Sequence, residues 1–89
     1  MTVSHGMNVE EVRGLGGQLK EQATHIQELV GRLDSAINSA TWMGSDADQF
    51  KGQWWPEHRQ HLLQASEGLD GFGQSALNNA QAQEDVSRG

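Results

Sequence analysis

Two histidines and a neighbouring glutamate are the residues whose types and spacing come nearest to a metal site. His58 and His61 are three residues apart and follow Glu57, so on a helix their side chains could reach one ion. Two nitrogens and one carboxylate leave such a site incomplete, and His5 and His25 lie far away along the chain. His58 also falls on an apolar stripe, where a packed imidazole is expected. We therefore predict no metal site.

A catalytic site requires a nucleophile beside a base, or two carboxylates that converge in a pocket. The chain has no cysteine, its serines stand in capping or tail contexts, and no phosphate-binding glycine loop follows a strand. Gly14, Gly16 and Gly17 lie inside a helical pattern instead. We expect no catalytic residues, no enzyme activity and no cofactor.

The composition limits the classes of partner. The 89 residues make one small domain, which buries less of its surface than a larger one. A net charge of −6 disfavours nucleic-acid phosphates and anionic lipids. No segment has the roughly 20 apolar residues of a membrane-spanning helix, so no stable membrane insertion is expected. The start MTVSHGMNVEEV lacks a basic region and an apolar run, so we expect it not to be a cleavable signal.

The first half of the chain carries an apolar stripe with helical spacing. Asn8 is placed to cap this helix, and Glu11 three residues later completes a capping-box pattern. We predict a first helix from about Val9 to Thr41, weakened by the glycines at 14–17. The stripe consists of Val12, Leu15, Leu19, Ala23, Ile26, Leu29, Val30, Leu33, Ala36, Ile37 and Ala40.

A second stripe follows, and a helix over about 45–80 is predicted from it. Ser45 is the predicted N-cap, with Asp46 and Asp48 complementing the positive end of the helix dipole. Pro56 deletes a backbone hydrogen bond, so we expect a kink near 52–56. The polar residues 81–89 are expected to form a flexible tail. The stripe consists of Ala47, Phe50, Trp54, His58, Leu62, Ala65, Leu69, Phe72 and Ala76.

The two helical stripes predict an all-α fold. Because the turn at 42–44 is short, the two helices are expected to form one antiparallel hairpin domain over residues 1–89. Both helices rise equally per residue, so facing residues should have numbers with a nearly constant total. The expected pairs are Ile37 with Phe50, Leu33 with Trp54, Ile26 with Leu62, Leu19 with Leu69, Leu15 with Phe72, and Val12 with Ala76.

The first stripe is wider than a single helix contact, which predicts a second layer. Residues expected at its edges are Leu29, Val30, Ala36, Trp55 and Leu63. A second hairpin completing a four-helix bundle would cover them, so we predict a dimer. The predicted hairpin and dimer interface consists of Leu15, Leu19, Ile26, Leu29, Val30, Leu33, Ile37, Trp55, Leu62, Leu69 and Phe72.

The stretch SATWMGSDADQFKGQWW holds all three tryptophans around the predicted turn. Trp42 and Trp54 could simply plug the end of the hairpin by burying their rings. Alternatively, one indole edge remains in a groove that receives a segment of a partner. Gly44 is placed to relieve the backbone where it reverses direction.

The residues TWMGSDADQFKGQW resemble the turn of the WXG family, small helical hairpins that are substrates of type VII (ESX) secretion systems and relatives of the early secreted antigenic target. Trp42, Met43 and Gly44 match the W-x-G motif, and Phe50 and Trp54 match positions that the family favours. The resemblance covers essentially the whole chain. It implies pairing with itself or a sister protein, and export from the cytoplasm in folded form, as a secreted or cell-surface protein without a cleavable signal.

In that family the W-x-G turn of one subunit and the C-terminal tail of the other form a composite secretion signal. Trp42 and Gly44 inherit that role by position. The family's tail motif, a tyrosine followed four residues later by Asp or Glu, has no match because the chain contains no tyrosine. Glu84 and Asp85 supply only the acidic half, which suggests that a partner provides the rest.

These observations favour a non-enzymatic type VII secretion substrate or partner protein, which acts through dimer contacts and an exposed turn. One alternative is an intracellular helical adaptor or chaperone-like binding module that is never exported. Another is a membrane-active effector whose apolar faces open onto lipid. The acidic composition and the lack of basic residues beside the stripes disfavour that last alternative.

Overall fold

The computed structural model describes residues 7–88, and the regular structure of that range is entirely helical. It contains α1 (Val9–Ser39), α2 (Ser45–Gln49), a π-helical turn (Phe50–Trp54) and α3 (Trp55–Arg88). The helices α1 and α3 pack antiparallel along most of their length. The result is a rod of 65 × 17 × 16 Å. The predicted all-α hairpin is confirmed.

The first helix begins where the capping pattern placed it. The side-chain Oδ1 of Asn8 accepts a hydrogen bond of 3.0 Å from the backbone N–H of Glu11, which satisfies one of the free donors of the first turn. The helix ends at Ser39, two residues before the predicted Thr41. Ala40 then has an extended backbone (φ −68°, ψ 134°), and the chain leaves the helix.

Gly44 reverses the chain between the helices. Its φ of 112° lies in the left-handed region, which a residue with a Cβ adopts only at a steric cost. Gly44 is itself the N-cap of α2, and its carbonyl accepts the first helical bond from Asp48 N–H at 3.0 Å. The predicted N-cap Ser45 is therefore wrong, since it is already the first helical residue.

A π-helical turn precedes Pro56, in the region where a kink was predicted. The N–H of Trp55 donates to the carbonyl of Phe50, five residues earlier. Pro56 has no N–H to continue the α-helical ladder, and a widened turn absorbs the missing bond. Beyond it, α3 continues to Arg88. The helix therefore extends past residue 80, where its end was predicted.

Small residues fill the centre of the contact between α1 and α3. Gly16, Ala23 and Val30 recur every seven residues on α1, and Ser66, Gly73 and Ala80 do so on α3; all six are buried. This is the spacing of a coiled-coil seam. A Cβ on Gly73 would lie 2.7 Å from the carbonyl oxygen of Gly16, and the reciprocal distance is 2.9 Å. Backbone therefore contacts backbone at this point.

The predicted pairing of Leu15 with Phe72 across the seam is wrong. Leu15 is 50% exposed and Phe72 is 69% exposed, while Gly16 and Gly73, each one residue later, face one another. Conversely, Val30 and Trp55 are only 2% and 8% exposed, although they were expected at the edges of the stripe. The largest apolar residues did not mark the centre of the seam, because close approach of the helices requires small ones.

Candidate functional site: two faces and two grooves

The polar face of the hairpin carries ion pairs that join the two helices. Arg13 Nη2 lies 3.0 Å from Glu84 Oε1, and Lys20 Nζ lies 3.1 Å from Asp70 Oδ1. A third bridge joins Asp34 to Arg59 nearer the turn. These side chains are partly exposed, so each bridge contributes little stability by itself. Their common position leaves the opposite side of the rod free of such bridges within residues 7–88.

The apolar face is the opposite side of the rod. Leu15 and Leu29 are exposed and lie two heptads apart, as do Phe72 and Val86, so each pair occupies one side of its helix. Two antiparallel helices are related by a local two-fold axis perpendicular to the plane that contains both helix axes. The residues that come just before two facing residues therefore lie on the same side of that plane. The apolar face comprises these four residues and the half-buried Leu19, Ile26, Leu33, Leu62 and Leu69.

Trp55 joins the two faces near the turn. Its indole Nε1 donates a 2.9 Å hydrogen bond to Asp34 Oδ1, and Arg59 Nε donates to both oxygens of the same carboxylate at 3.0 Å. The hydrogen bond from Trp55, followed by the one from Arg59, lowers the pKa of Asp34 because both favour the charged carboxylate. The ring thus lies between the helices with its polar edge satisfied.

An apolar groove with a volume of about 640 Å³ opens beside the Trp55 ring. The predicted partners Ile37 and Phe50 both line it, and so do Leu33 and Trp54. It continues the apolar face up to the turn. The remaining lining residues are Trp55, His58, His61 and Leu62.

A row of aromatic rings runs along this end of the hairpin. The ring centroids of Trp42 and Phe50 are 5.4 Å apart, and Phe50 stacks on Trp54 at 4.9 Å. The edge-on contact of His58 with Trp54 is at 4.0 Å, and His61 follows at 6.3 Å from His58. The predicted packing of Trp42 and Trp54 at the turn leaves them 44% and 48% exposed. Half of each indole therefore faces solvent.

An acidic groove of about 490 Å³ lies on the other side of Trp54. It shares Phe50 and Trp54 with the apolar groove, and no lysine or arginine is among its lining residues. Lys51 is nearby, but its Nζ lies 3.4 Å from the carbonyl oxygens of Ala40 and Trp42. The lining consists of Trp42, Asp46, Gln49, Phe50, Gln53, Trp54 and Glu57.

Two further properties of the described residues concern metal binding and membrane crossing. Within residues 7–88, no group of three or more histidine or acidic side chains is placed to hold a metal ion. His58 and His61 instead end the aromatic row. No helix in the same range has the length and apolarity needed to cross a membrane.

Two features of these surfaces were not predicted from the sequence. The seven-residue spacing of Gly16, Ala23 and Val30 could have indicated the small-residue seam, since Ala23 and Val30 belong to the first stripe and Gly16 precedes Ala23 by seven residues. The network of Asp34, Trp55 and Arg59 had no local signal, because Asp34 comes from α1 and the other two residues come from α3. In comparisons with known proteins, no family model, no curated protein and no solved structure matches this chain.

Proposed function

We propose that this protein acts without catalysis, by pairing its apolar face with that of a second helical hairpin to form a four-helix bundle. The observation that carries this proposal is the exposure of Leu15, Leu29 and Phe72 on one side of the rod. Isolated apolar residues are common on protein surfaces, whereas several of them aligned along one side of a rod mark an interaction site.

The composition of the seam explains why a second layer is needed. Most of its central positions are held by glycine, alanine or serine, which bury little apolar area. Val30 and Trp55 are the large apolar side chains that the hairpin buries among its described residues. The larger residues of the apolar face would gain most of their burial from a partner, which is either a second copy or a sister chain.

We further propose that the pair is a substrate or partner of a type VII secretion system. The W-x-G motif supports this proposal because it lies at the turn end of the rod, where Trp42 is half exposed and Gly44 has the positive φ that a glycine supplies. A helical adaptor that stays inside the cell is the alternative from another class. It would use the same face but not the motif.

The tail gives a reason to favour a sister chain. The tyrosine that completes the family's secretion signal is missing from this chain. Within α3, Glu84 is bonded to Arg13 and Asp85 accepts a hydrogen bond from Gln81. A sister protein that carries the tyrosine motif would supply the missing half of the signal.

Sedimentation equilibrium tests the pairing. The chain, alone or with the product of an adjacent gene, should form a dimer at micromolar concentration. Leu29→Gln and Phe72→Gln should each raise the dissociation constant about tenfold or more, as expected for apolar residues at the centre of an interface. Met43→Gln is the matched control, because Met43 is 87% exposed but lies in the turn. A monomer at high micromolar concentration with every candidate partner would overturn the proposal.

Export requires a separate experiment. The chain should be found in the culture supernatant of its native host and remain in the lysate of a strain that lacks the type VII secretion ATPase. Trp42→Ala should reduce export while leaving dimerisation intact, and Met43→Ala, at the adjacent turn position, should export normally. Retention of the wild-type chain in both strains, together with intact dimerisation, would instead identify an intracellular adaptor.

A further inference from the structure

The acidic groove has a composition that neither pairing of the apolar faces nor packing of the turn requires. Trp42 and Trp54 are half exposed and contribute indole rings to its lining, while Asp46 and Glu57 contribute carboxylates. An apolar ligand gains nothing from these carboxylates, and a hydrated metal ion needs more oxygen or nitrogen ligands than the two carboxylates supply. A cation attached to an organic group uses both, because aromatic faces and negative charges each attract positive charge.

We propose that the acidic groove binds an arginine side chain presented by a partner protein. A guanidinium is planar, stacks on indole rings and is less strongly hydrated than an ammonium, so arginine fits this lining better than lysine does. Its counter-charges would be Asp46 and Glu57. The net charge of −6 favours a basic partner over a second acidic copy.

The nearby lysine leaves this charge complementarity in place. Lys51 directs its Nζ to the carbonyl oxygens of Ala40 and Trp42, where it closes the end of α1. It is not among the lining residues of the acidic groove. The carboxylates of Asp46 and Glu57 therefore remain available to a ligand, since neither makes an ion pair within the described residues.

The two grooves together define the kind of segment that fits. They share Phe50 and Trp54 as a common wall, with the acidic groove on one side and the apolar groove on the other. An arginine in the first groove places its neighbours along the chain near the second. We therefore expect the partner segment to combine an arginine with adjacent large apolar residues.

NMR of the three indole N–H groups tests this proposal. The probe is an acetylated and amidated leucine-arginine-leucine tripeptide, and its matched control carries citrulline, which has the same shape without the charge. The arginine peptide should shift the Trp42 and Trp54 indole signals in a saturable manner. The Trp55 indole N–H is bonded to Asp34 and its ring lines the apolar groove, so its signal reports whether the leucines contact that groove. The citrulline peptide should bind about two- to fivefold more weakly.

Variants of the acidic residues separate recognition from general charge attraction. Glu57→Gln, alone and combined with Asp46→Asn, should weaken the arginine peptide, and the double variant should bind both peptides equally. Asp48→Asn is the control, because Asp48 lies on the same short helix but does not line the groove; it should retain the preference. An unchanged Trp55 indole signal in the absence of peptide verifies the fold of each variant.

Two results would overturn the proposal. One is equal binding of the arginine and citrulline peptides to the wild-type chain, and the other is the absence of any saturable shift at Trp42 and Trp54. The experiment does not depend on pairing of the apolar faces, so it can fail while the proposed function stands. The proposed function can also fail while this proposal stands, since a monomeric chain would still contain the groove.

Discussion

Different residues lie between α1 and α3 at the two ends of the hairpin. At the open end, Gly16 and Gly73 bring backbone against backbone, while near the turn the Trp55 ring lies between α1 and α3 and bonds to Asp34. Both grooves described above lie at the tryptophan end. The apolar groove opens beside the large ring in the seam, whereas the acidic groove is lined by residues outside the seam.

This difference also separates stability from binding. The glycine contact is a fitted surface in which added volume meets backbone atoms that cannot move aside. The tryptophan end combines one buried ring with half-exposed ones, and we expect the fold to depend mainly on the buried ring. The substitutions below test whether these roles are as distinct as the contacts imply.

The largest effect is expected from the buried tryptophan. Trp55→Ala should lower the free energy of unfolding by about 3–5 kcal/mol, because it leaves a cavity in the seam and removes a donor from Asp34. Trp54→Ala, at the adjacent half-exposed ring, should cost distinctly less. Urea unfolding followed by circular dichroism at one protein concentration measures both. Equal losses for the two variants would contradict the assignment of Trp55 as the structural ring.

Gly73→Ala should have the next largest effect on the free energy of unfolding. The new Cβ would lie 2.7 Å from the Gly16 carbonyl oxygen, and such overpacking costs about 1–3 kcal/mol. The matched control is Gly71→Ala on the same helix, where no atom lies within 4 Å of the added Cβ. It should stabilise the protein by about 0.5–1 kcal/mol through helix propensity. If Gly73→Ala also raised the free energy of unfolding, the glycine contact would not be tight.

The sequence predicted the helices and the position of the reversal better than it predicted the seam. Asn8 was correctly identified as a cap, and Gly44 as the residue of the turn, because both depend on local chemistry. The seam was placed on Leu15 and Phe72 instead of Gly16 and Gly73. Hydrophobicity marks a face of a helix, but the choice between neighbouring residues depends on how closely the partner helix approaches.

The grooves were predicted only in part. A groove receiving a partner was anticipated at Trp42 and Trp54, yet its acidic lining depends on Asp46 and Glu57, which lie on either side of the π-helical turn. Asp46 and Glu57 are eleven residues apart, close to three turns of 3.6 residues, so helical periodicity could have placed both carboxylates on one face. Periodicity does not predict the concave shape of that face, which depends on how the aromatic rings pack.

A pH experiment sharpens the contrast at the tryptophan end. Hydrogen bonds from Trp55, and then from Arg59, hold the pKa of Asp34 below its ordinary value of 3.8. The resulting stability is therefore present above about pH 4 and is lost as the pH falls through the lowered value. The urea midpoint of the wild-type chain should fall more between about pH 6 and about pH 2.5 than that of Asp34→Asn. Parallel declines would show that Asp34 contributes nothing specific.

The smallest effect is expected from Asp70, a carboxylate that also bridges the helices. Its side chain is 54% exposed, and its partner Lys20 also donates to Gln74 Oε1 at 3.1 Å, so the ammonium keeps a partner in Asp70→Asn. We expect a loss of less than about 0.5 kcal/mol, which about 1 M salt should abolish by screening. Asp34 accepts two fixed donors, one of them from a buried ring, whereas Asp70 holds a flexible lysine in solvent. Urea unfolding at low salt and in about 1 M salt measures the loss. A salt-independent loss above about 1 kcal/mol would show that the ion pairs of the polar face stabilise the hairpin as much as the network around Trp55 does.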